Sequence, residues 1–323
     1  ALLERLAALY PRPGARVLLG TSGADAVTAA LKTAVLATGK AGVVAFAGAY
    51  HGLSHGPLAA CGLHPSFREP FAGQLGEHVA FVPYPSREGE LDASLSAVRA
   101  LLARGTFGCV LVEPILGRGG CVVPPAGFLP ALAALTREAG ALLVADEIWT
   151  GLGRSGAWLA SAAAGVVPDV VCLGKALGAG LPISACVGST EVMAAWGSHG
   201  GTVLHTATHF GAPPACAAAL ALLEALDAQG LVPRAARLGE ALREAIRARA
   251  VAGLRGVTGD GLMIGLALEG GAPRALAVAR RLLRRGYLVL TGGSAGDVLT
   301  LTPALVYPEA LVEPFADALA GVA

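Results

Sequence analysis

Residues 141–156 read ALLVADEIWTGLGRSG and residues 168–180 read PDVVCLGKALGAG; the two stretches share one layout. Each is a short apolar run that ends at an ionisable residue. Residues 141–145 are uncharged and rich in Leu and Val, the composition of a strand covered on both faces. That strand delivers Asp146 at its carboxyl end. Residues 170–173 form a second such run, and Gly174 turns the chain before Lys175. Ligands of open α/β sheets sit at the carboxyl ends of strands, so an acid and an amine arrive where a site is expected.

Outward from this pair, strands are expected at 16–19, 42–46, 78–82, 109–112 and 182–188. Helices are expected at 24–37, 91–104, 128–139 and 213–228. Strand and helix alternate, which predicts a mainly parallel sheet. After Gly230 the texture changes. A helix rich in Arg and Glu (233–250) leads to strands at 254–258 and 262–268 and a basic helix at 273–285. Strands at 287–290 and 298–301 and a closing helix from Pro308 complete a small α+β domain. The expected division is a large domain over 1–228 and a small one over 229–323. Residues 2–10 read as the tail of a helix and no initiator Met precedes them, so an N-terminal portion is expected to be missing.

Hydrophobic residues make up 54% of the chain and charged ones 15%, which provides a large core under a sparsely charged surface. The net charge of +1 gives no electrostatic footprint for nucleic acid or an anionic membrane, and neither partner is expected. An uncharged tract over 192–223 is interrupted by three histidines, several glycines and Pro213-Pro214, unlike a lipid-spanning helix of about 20 apolar residues. It reads as buried structure of a soluble protein. No basic region leads into an apolar one at the start, so no signal peptide is expected. Six cysteines without a CxxC pair read as small core residues and suggest a cytoplasmic protein.

Around the central pair lie weaker signals. Gly20-Thr21-Ser22-Gly23 joins a strand to a helix, which makes either an anion site or an ordinary capped turn. Tyr50 follows a strand end, where an aromatic ring can stack on a flat ligand or simply pack. His51 and His55 have the spacing of paired metal ligands, but Gly52 and Gly56 argue against a helix and no carboxylate is close in sequence; no metal is expected. Residues 151–156 match GxGxxG, yet Asp146 to Thr150 separate them from the strand and no acid-ending second strand follows, so the match reads as a glycine-rich loop. For Asp146 and Lys175 one chemistry fits well: a lysine Schiff base with pyridoxal phosphate whose ring nitrogen pairs with the aspartate. An ordinary ion pair is the alternative.

Six pieces taken together resemble the class III aminotransferases of the ornithine, acetylornithine and 4-aminobutyrate type. They are TSGADAVTAALK (21–32), AGAYHG (47–52), VEPILGRGGCVVPPAGF (112–128), ADEIWTGLGRSG (145–156), PDVVCLGKALGAGLP (168–182) and HTATHFGAPPACAAALA (205–221). The resemblance implies the aspartate aminotransferase fold (fold type I), with a mainly parallel seven-stranded sheet and the smaller α+β domain. It implies pyridoxal 5'-phosphate as cofactor and transfer of an amino group from an amino acid or primary amine to a 2-oxo acid. Lys175 would be the Schiff-base lysine and Asp146 the partner of the ring nitrogen. Gly23 and Ala24 would offer amides to the phosphate, Tyr50 and Ile148 would take the two faces of the ring, and Glu113 would organise the pocket. Thr208 would reach the phosphate of a neighbouring subunit, implying a homodimer with shared sites.

The sequence also departs from the family pattern. Arg118 stands where many members have Glu, and Thr300 where they have the arginine that receives the substrate's α-carboxylate. Either Arg118 takes over carboxylate recognition or the substrate is not a standard ω-amino α-acid. Trp149 stands where ornithine-type members often carry Gln and would narrow the pocket. Two alternatives accompany this reading. One is an aminomutase, racemase or decarboxylase of the same fold; the other is a catalytically impaired binding or structural subunit.

Overall fold

A computed structural model of the chain describes residues 1–197 and 199–323. Ser198, inside the uncharged tract, lies outside the described residues. The chain forms two compact units. The first comprises residues 1–114, 124–149 and 161–224, and the second comprises 115–123, 150–160 and 225–323.

The first unit is built on a seven-stranded sheet: β1 (Ala15–Gly20), β2 (Gly42–Phe46), β3 (Val79–Val82), β4 (Phe107–Val112), β5 (Leu142–Asp146), β6 (Val170–Leu173) and β7 (Ser184–Ser189). Their order is β1-β7-β6-β5-β4-β2-β3. The neighbours from β6 through β3 run parallel, while β7 is antiparallel to both β6 and β1. The sheet is therefore mainly parallel, as the alternation predicts. Every residue of β4 and β6 is buried, which explains why their sequences lack a polar alternation. Helices α1 (Leu2–Leu9), α2 (Gly23–Thr38), α3 (His55–Ala59), α4 (Glu88–Leu102), α5 (Phe128–Glu138), α6 (Ala160–Ala163), α7 (Thr190–Met193) and α8 (Pro213–Ala228) connect or cover the strands. The inner face of α2 is Ala26, Val27, Ala30 and Ala34, packed on Val43, Cys109, Leu111, Val144, Val170 and Cys172. Small residues on that face let the helix axis come close to the sheet.

The short helix α3 corrects the expectation of no helix around His55. Gly52, with φ +112, stays outside it, and Gly56 falls in its first turn, where an intrahelical partner for the amide is not yet required.

The second unit holds a four-stranded antiparallel sheet, β8 (Leu254–Asp260), β9 (Met263–Leu268), β10 (Leu290–Gly292) and β11 (Val298–Leu301), in the order β10-β11-β9-β8. Helices α9 (Leu231–Arg247), α10 (Gly271–Arg284) and α11 (Val312–Ala320) pack on it through Leu242, Ile246, Leu282, Phe315 and Leu319. The expected strand at 287–290 is displaced. The Tyr287 amide donates to the Leu282 carbonyl to close α10, and its ring packs on Phe315 at 5.2 Å, so sheet pairing begins only at Leu290.

Arg154 explains why residues 150–160 cluster with this unit. Its guanidinium donates to the carbonyls of Leu262 (2.9 Å) and Pro303 (2.6 Å), and burial pulls its pKa down to about 10. The glycines of the GxGxxG match serve close packing here. A Cβ on Gly156 would meet Ala236 at 2.9 Å, and Gly153 and Gly156 both have positive φ. No single helix among the described residues is long and apolar enough to cross a membrane.

Candidate active site

Strands β2, β4, β5 and β6 run parallel and side by side, so their carboxyl ends share one edge of the sheet. Since β1 and β6 are both antiparallel to β7, β1 ends at that edge too. Each strand hands residues to it: β1 leads to Gly23, β2 to Tyr50 and His51, β4 to Glu113, β5 to Asp146 and β6 to Lys175.

Asp146 is 4% exposed, and a lone carboxylate so buried would be costly. Two hydrogen bonds hold it. Its Oδ1 accepts from the Ile148 amide at 3.1 Å, and its Oδ2 lies 2.8 Å from His51 Nδ1. The carboxylate is the acceptor, so Nδ1 carries the proton of that contact. Among the described residues, His51 Nε2 is buried without a hydrogen-bond partner. Glu113, at the end of β4, accepts from the Tyr50 amide at 2.7 Å, while its backbone carbonyl accepts from the Tyr84 hydroxyl at 3.1 Å. Burial and then the neighbouring Glu113 charge push the Tyr84 hydroxyl pKa well up, so it stays a donor. The Tyr50 ring meets Phe67 edge-on at 6.0 Å.

Ile148 closes the arrangement. A Cβ on Gly23 would meet its Cδ1 at 2.9 Å, and one on Gly174 would meet its Cγ2 at 3.4 Å and the Gly23 Cα at 3.6 Å. Gly23, Gly174 and Ile148 thus touch, and Lys175 follows directly with φ +43, a left-handed conformation that costs a non-glycine residue about 1 kcal/mol or more. Its Nζ lies 4.8 Å from the centre of the Trp149 ring.

The helix that starts at Gly23 is capped in a way that spares two amides. Ser22 Oγ accepts from the Asp25 amide at 3.2 Å, and Asp25 Oδ2 accepts from the amides of Thr21 and Ser22, each at 3.0 Å. Burial alone would raise the Asp25 pKa, but the bonds from Thr21 and Ser22 outweigh it and the net shift is downward. Among the described residues, the Gly23 and Ala24 amides stand at the positive end of a 16-residue helix with no intrahelical partner, a position that suits an anion.

Of the residues singled out in the sequence, the structure therefore brings together Gly23, Ala24, Tyr50, Glu113, Asp146, Ile148, Trp149 and Lys175. Thr208 sits on an exposed loop without a hydrogen bond to this cluster among the described residues. Arg118 belongs to the second unit, as does Thr300. Two residues escape the sequence reading. His51, weighed in the sequence as a metal ligand, is the hydrogen-bond partner of Asp146 across 95 positions. Glu147, 1% exposed, accepts from the amide and hydroxyl of Ser161, both at 2.7 Å, and pins the loop beyond β5. His51 and His55 do not act as a pair, since His55 Nε2 bonds Gln74 instead.

A phosphorylated pyridine aldehyde needs anion-binding amides, a flat slot, a carboxylate for its ring nitrogen and an amine for its carbonyl. The Gly23 and Ala24 amides, the glycine floor that a Cβ would fill, the fixed Asp146 and Lys175 fit these needs, and among the described residues His51 Nε2 is a buried polar atom left without a partner.

Comparison with known proteins agrees. The class-III aminotransferase family model matches residues 1–322. The chain is similar to the acetylornithine aminotransferase of Mycobacterium bovis, 42% identical over all of this chain and 76% of that protein. The acetylornithine aminotransferase of Methanosarcina mazei is 34% identical over 94% of this chain and 71% of its own length. Among solved structures, an amine transaminase from an uncultivated Pseudomonas species, in its pyridoxal-phosphate-bound form, superposes with a TM-score of 0.90 at 30% identity. That match covers 98% of this chain and 79% of the other. The ornithine aminotransferase of Toxoplasma gondii gives 0.89 at 28% identity, covering 99% and 76%. A buried acid, a lysine and a glycine-floored anion site at one sheet edge thus meet a family match over almost the whole chain, and the protein belongs to the class-III aminotransferases, pyridoxal-phosphate-dependent enzymes of transamination.

Proposed function

We propose that the side chains gathered at the carboxyl edge of the large sheet carry out the transamination. Bound pyridoxal phosphate supplies an electron-accepting ring and a carbonyl carbon open to amines. Lys175 would be the amine that holds it, and as a free amine it would be the base and acid that moves the donor's Cα proton. Free lysine, with a reference pKa of about 10.4, is protonated near neutrality and must lose that proton to serve as base. Asp146 holds the proton on the ring nitrogen, and His51, by donating Nδ1–H to Oδ2, fixes the direction of that carboxylate. Gly23 and Ala24 bind the phosphate, Tyr50 and Ile148 orient the ring, and Glu113 sets the Tyr50 backbone. The observation that carries this reading is Ile148 touching both Gly23 and Gly174, which draws amides, acid and lysine backbone to one place.

The test is the visible spectrum of the purified protein with cofactor. Absorbance that bleaches with a donor amine and returns with a 2-oxo acid is the expected result. Bleaching without return favours an aminomutase, racemase or decarboxylase outcome, and no absorbance at all removes Lys175 from its role.

For the donor, the similarity to acetylornithine aminotransferases suggests an amino acid with a terminal amine, and we assign its carboxylate to Arg118. Within the second unit the Gly293 amide donates to the Arg118 carbonyl at 2.8 Å, and a Cβ on neighbouring Gly292 would lie 2.6 Å from Thr300 Oγ1 and 3.5 Å from that carbonyl. Positions 118 and 300 thus border the same glycine, which supports a transfer of the positive charge from one to the other. A homodimer is supported by the exposed loop of Thr208 and by an apolar groove of about 450 Å³ lined by Leu31, Val35, Leu36, Trp196 and Leu204. Light scattering at micromolar concentration tests it. A cytoplasmic location is supported by the buried cysteines Cys109, Cys172 and Cys186, which form no disulfide among the described residues, and cell fractionation tests that reading.

A further inference from the structure

Trp149 is half-buried at the end of the turn that leaves β5, and that turn is held at three points. Asp146 Oδ1 accepts from the Ile148 amide, the Glu147 amide donates to the Cys172 carbonyl at 3.0 Å, and the Glu147 carboxylate is bound by Ser161. The indole therefore leaves a fixed backbone. Lys175 leaves the next strand from an equally constrained left-handed residue. Between these two anchors, Nζ lies 4.8 Å from the indole centre, inside the roughly 6 Å range in which an ammonium is attracted to a ring face.

We propose that the Trp149 indole is a positioning residue that receives the Lys175 side chain as its ammonium whenever the lysine is not bonded to the cofactor. The face of an indole favours the charged form over the neutral amine, so it holds both the side chain and its proton. A lysine held so is available as a proton donor when it has been displaced. The same contact slows its recapture of a carbonyl, because only the neutral amine attacks. This deepens the reading of Lys175 as the cofactor-holding amine and rests on it.

The test uses the full chain stripped of cofactor. Lys32 and Lys40 are the other lysines and serve as internal references. Trace acetylation at pH 7, quantified by mass spectrometry, reports the neutral fraction and freedom of each amine. Replacing Trp149→Leu is expected to raise the labelling of Lys175, relative to the references, about threefold to tenfold, while Trp149→Phe, which keeps a ring face, stays within about twofold of wild type. Equal labelling of the Leu and Phe variants overturns the proposal, since bulk alone then explains the contact. A second readout needs no labelling. Lys175→Met is expected to change tryptophan emission in the wild-type background and to leave it unchanged in a Trp149→Phe background; a change that persists without Trp149 also overturns it. Borohydride reduction with pyridoxal phosphate checks the underlying role separately: failure to add the cofactor's mass at Lys175 removes that role, whatever the indole does.

Discussion

Replacing His51 by Ala is the sharpest perturbation of the site. His51 is 2% exposed, and its Nδ1 makes the 2.8 Å contact that steadies Asp146 Oδ2. Removing it leaves Oδ2, on a carboxylate only 4% exposed, without that donor, while Oδ1 keeps the Ile148 amide. Hydrogen bonds to charged groups contribute about 1.5–3 kcal/mol. If the bond serves to aim the carboxylate at the ring nitrogen, most of that amount is lost from cofactor binding. At about 1.4 kcal/mol per decade, the expected rise in the cofactor dissociation constant is about tenfold to one hundredfold. His51→Asn, whose amide can donate near the Nδ1 position, is expected to recover part of the loss. The assay is equilibrium titration of cofactor-free protein followed by visible absorbance, beside urea denaturation of the same sample. A dissociation constant within twofold of wild type for both variants refutes the argument. So does a drop in stability of the cofactor-free protein with no change in cofactor affinity, which makes the pair purely structural.

Lys175→Ala is expected to keep the fold, shown by an unchanged urea midpoint, while transamination falls at least a thousandfold because no amine remains to shuttle the proton. Arg118→Ala is expected to raise KM for carboxylate-bearing donors about tenfold or more and to spare KM for plain primary amines; an equal change for both removes carboxylate recognition from Arg118. Asp25→Asn removes a carboxylate whose pKa is depressed in the folded state. The stabilisation from a depressed acid is present above its unfolded value of about 3.9 and is lost as pH falls through the folded one. The variant is therefore expected to be less stable than wild type at neutral pH and to converge with it in acid, measured as urea midpoints across pH.

The strands that position the site were readable because their physical situation leaves a strong trace. β5 and β6 are covered on both faces, so each is an unbroken apolar run, and the first polar residue after it marks the sheet edge. That is how Asp146 and Lys175 stood out. The partner of Asp146 left no such trace. His51 sits in a glycine-rich turn after β2, and nothing local distinguishes a histidine that bonds a carboxylate 95 residues away from one that packs. The helix at His55 was hidden for a related reason, because a glycine in a first turn is only a weak breaker. β10 was misplaced because the apolar residues before it are used in packing against Phe315, a contact set by α11 at the far end of the chain. Residues 150–160 adjoin the first unit in sequence, whereas Arg154 binds them to the carbonyls of Leu262 and Pro303. Charge buried on distant backbone oxygens has no periodicity to read.

The capped start of the helix at Gly23 has an evolutionary consequence. Its anion donors are peptide groups, so no replacement short of proline can delete them, and drift at this corner is otherwise constrained by volume. A methyl group at position 23 would intrude on Ile148, 2.9 Å away, whereas residues 22 and 25 are free to vary among pairs that still satisfy one another. Relatives that abandon the chemistry should therefore betray it first by gaining bulk at position 23, before any donor is lost.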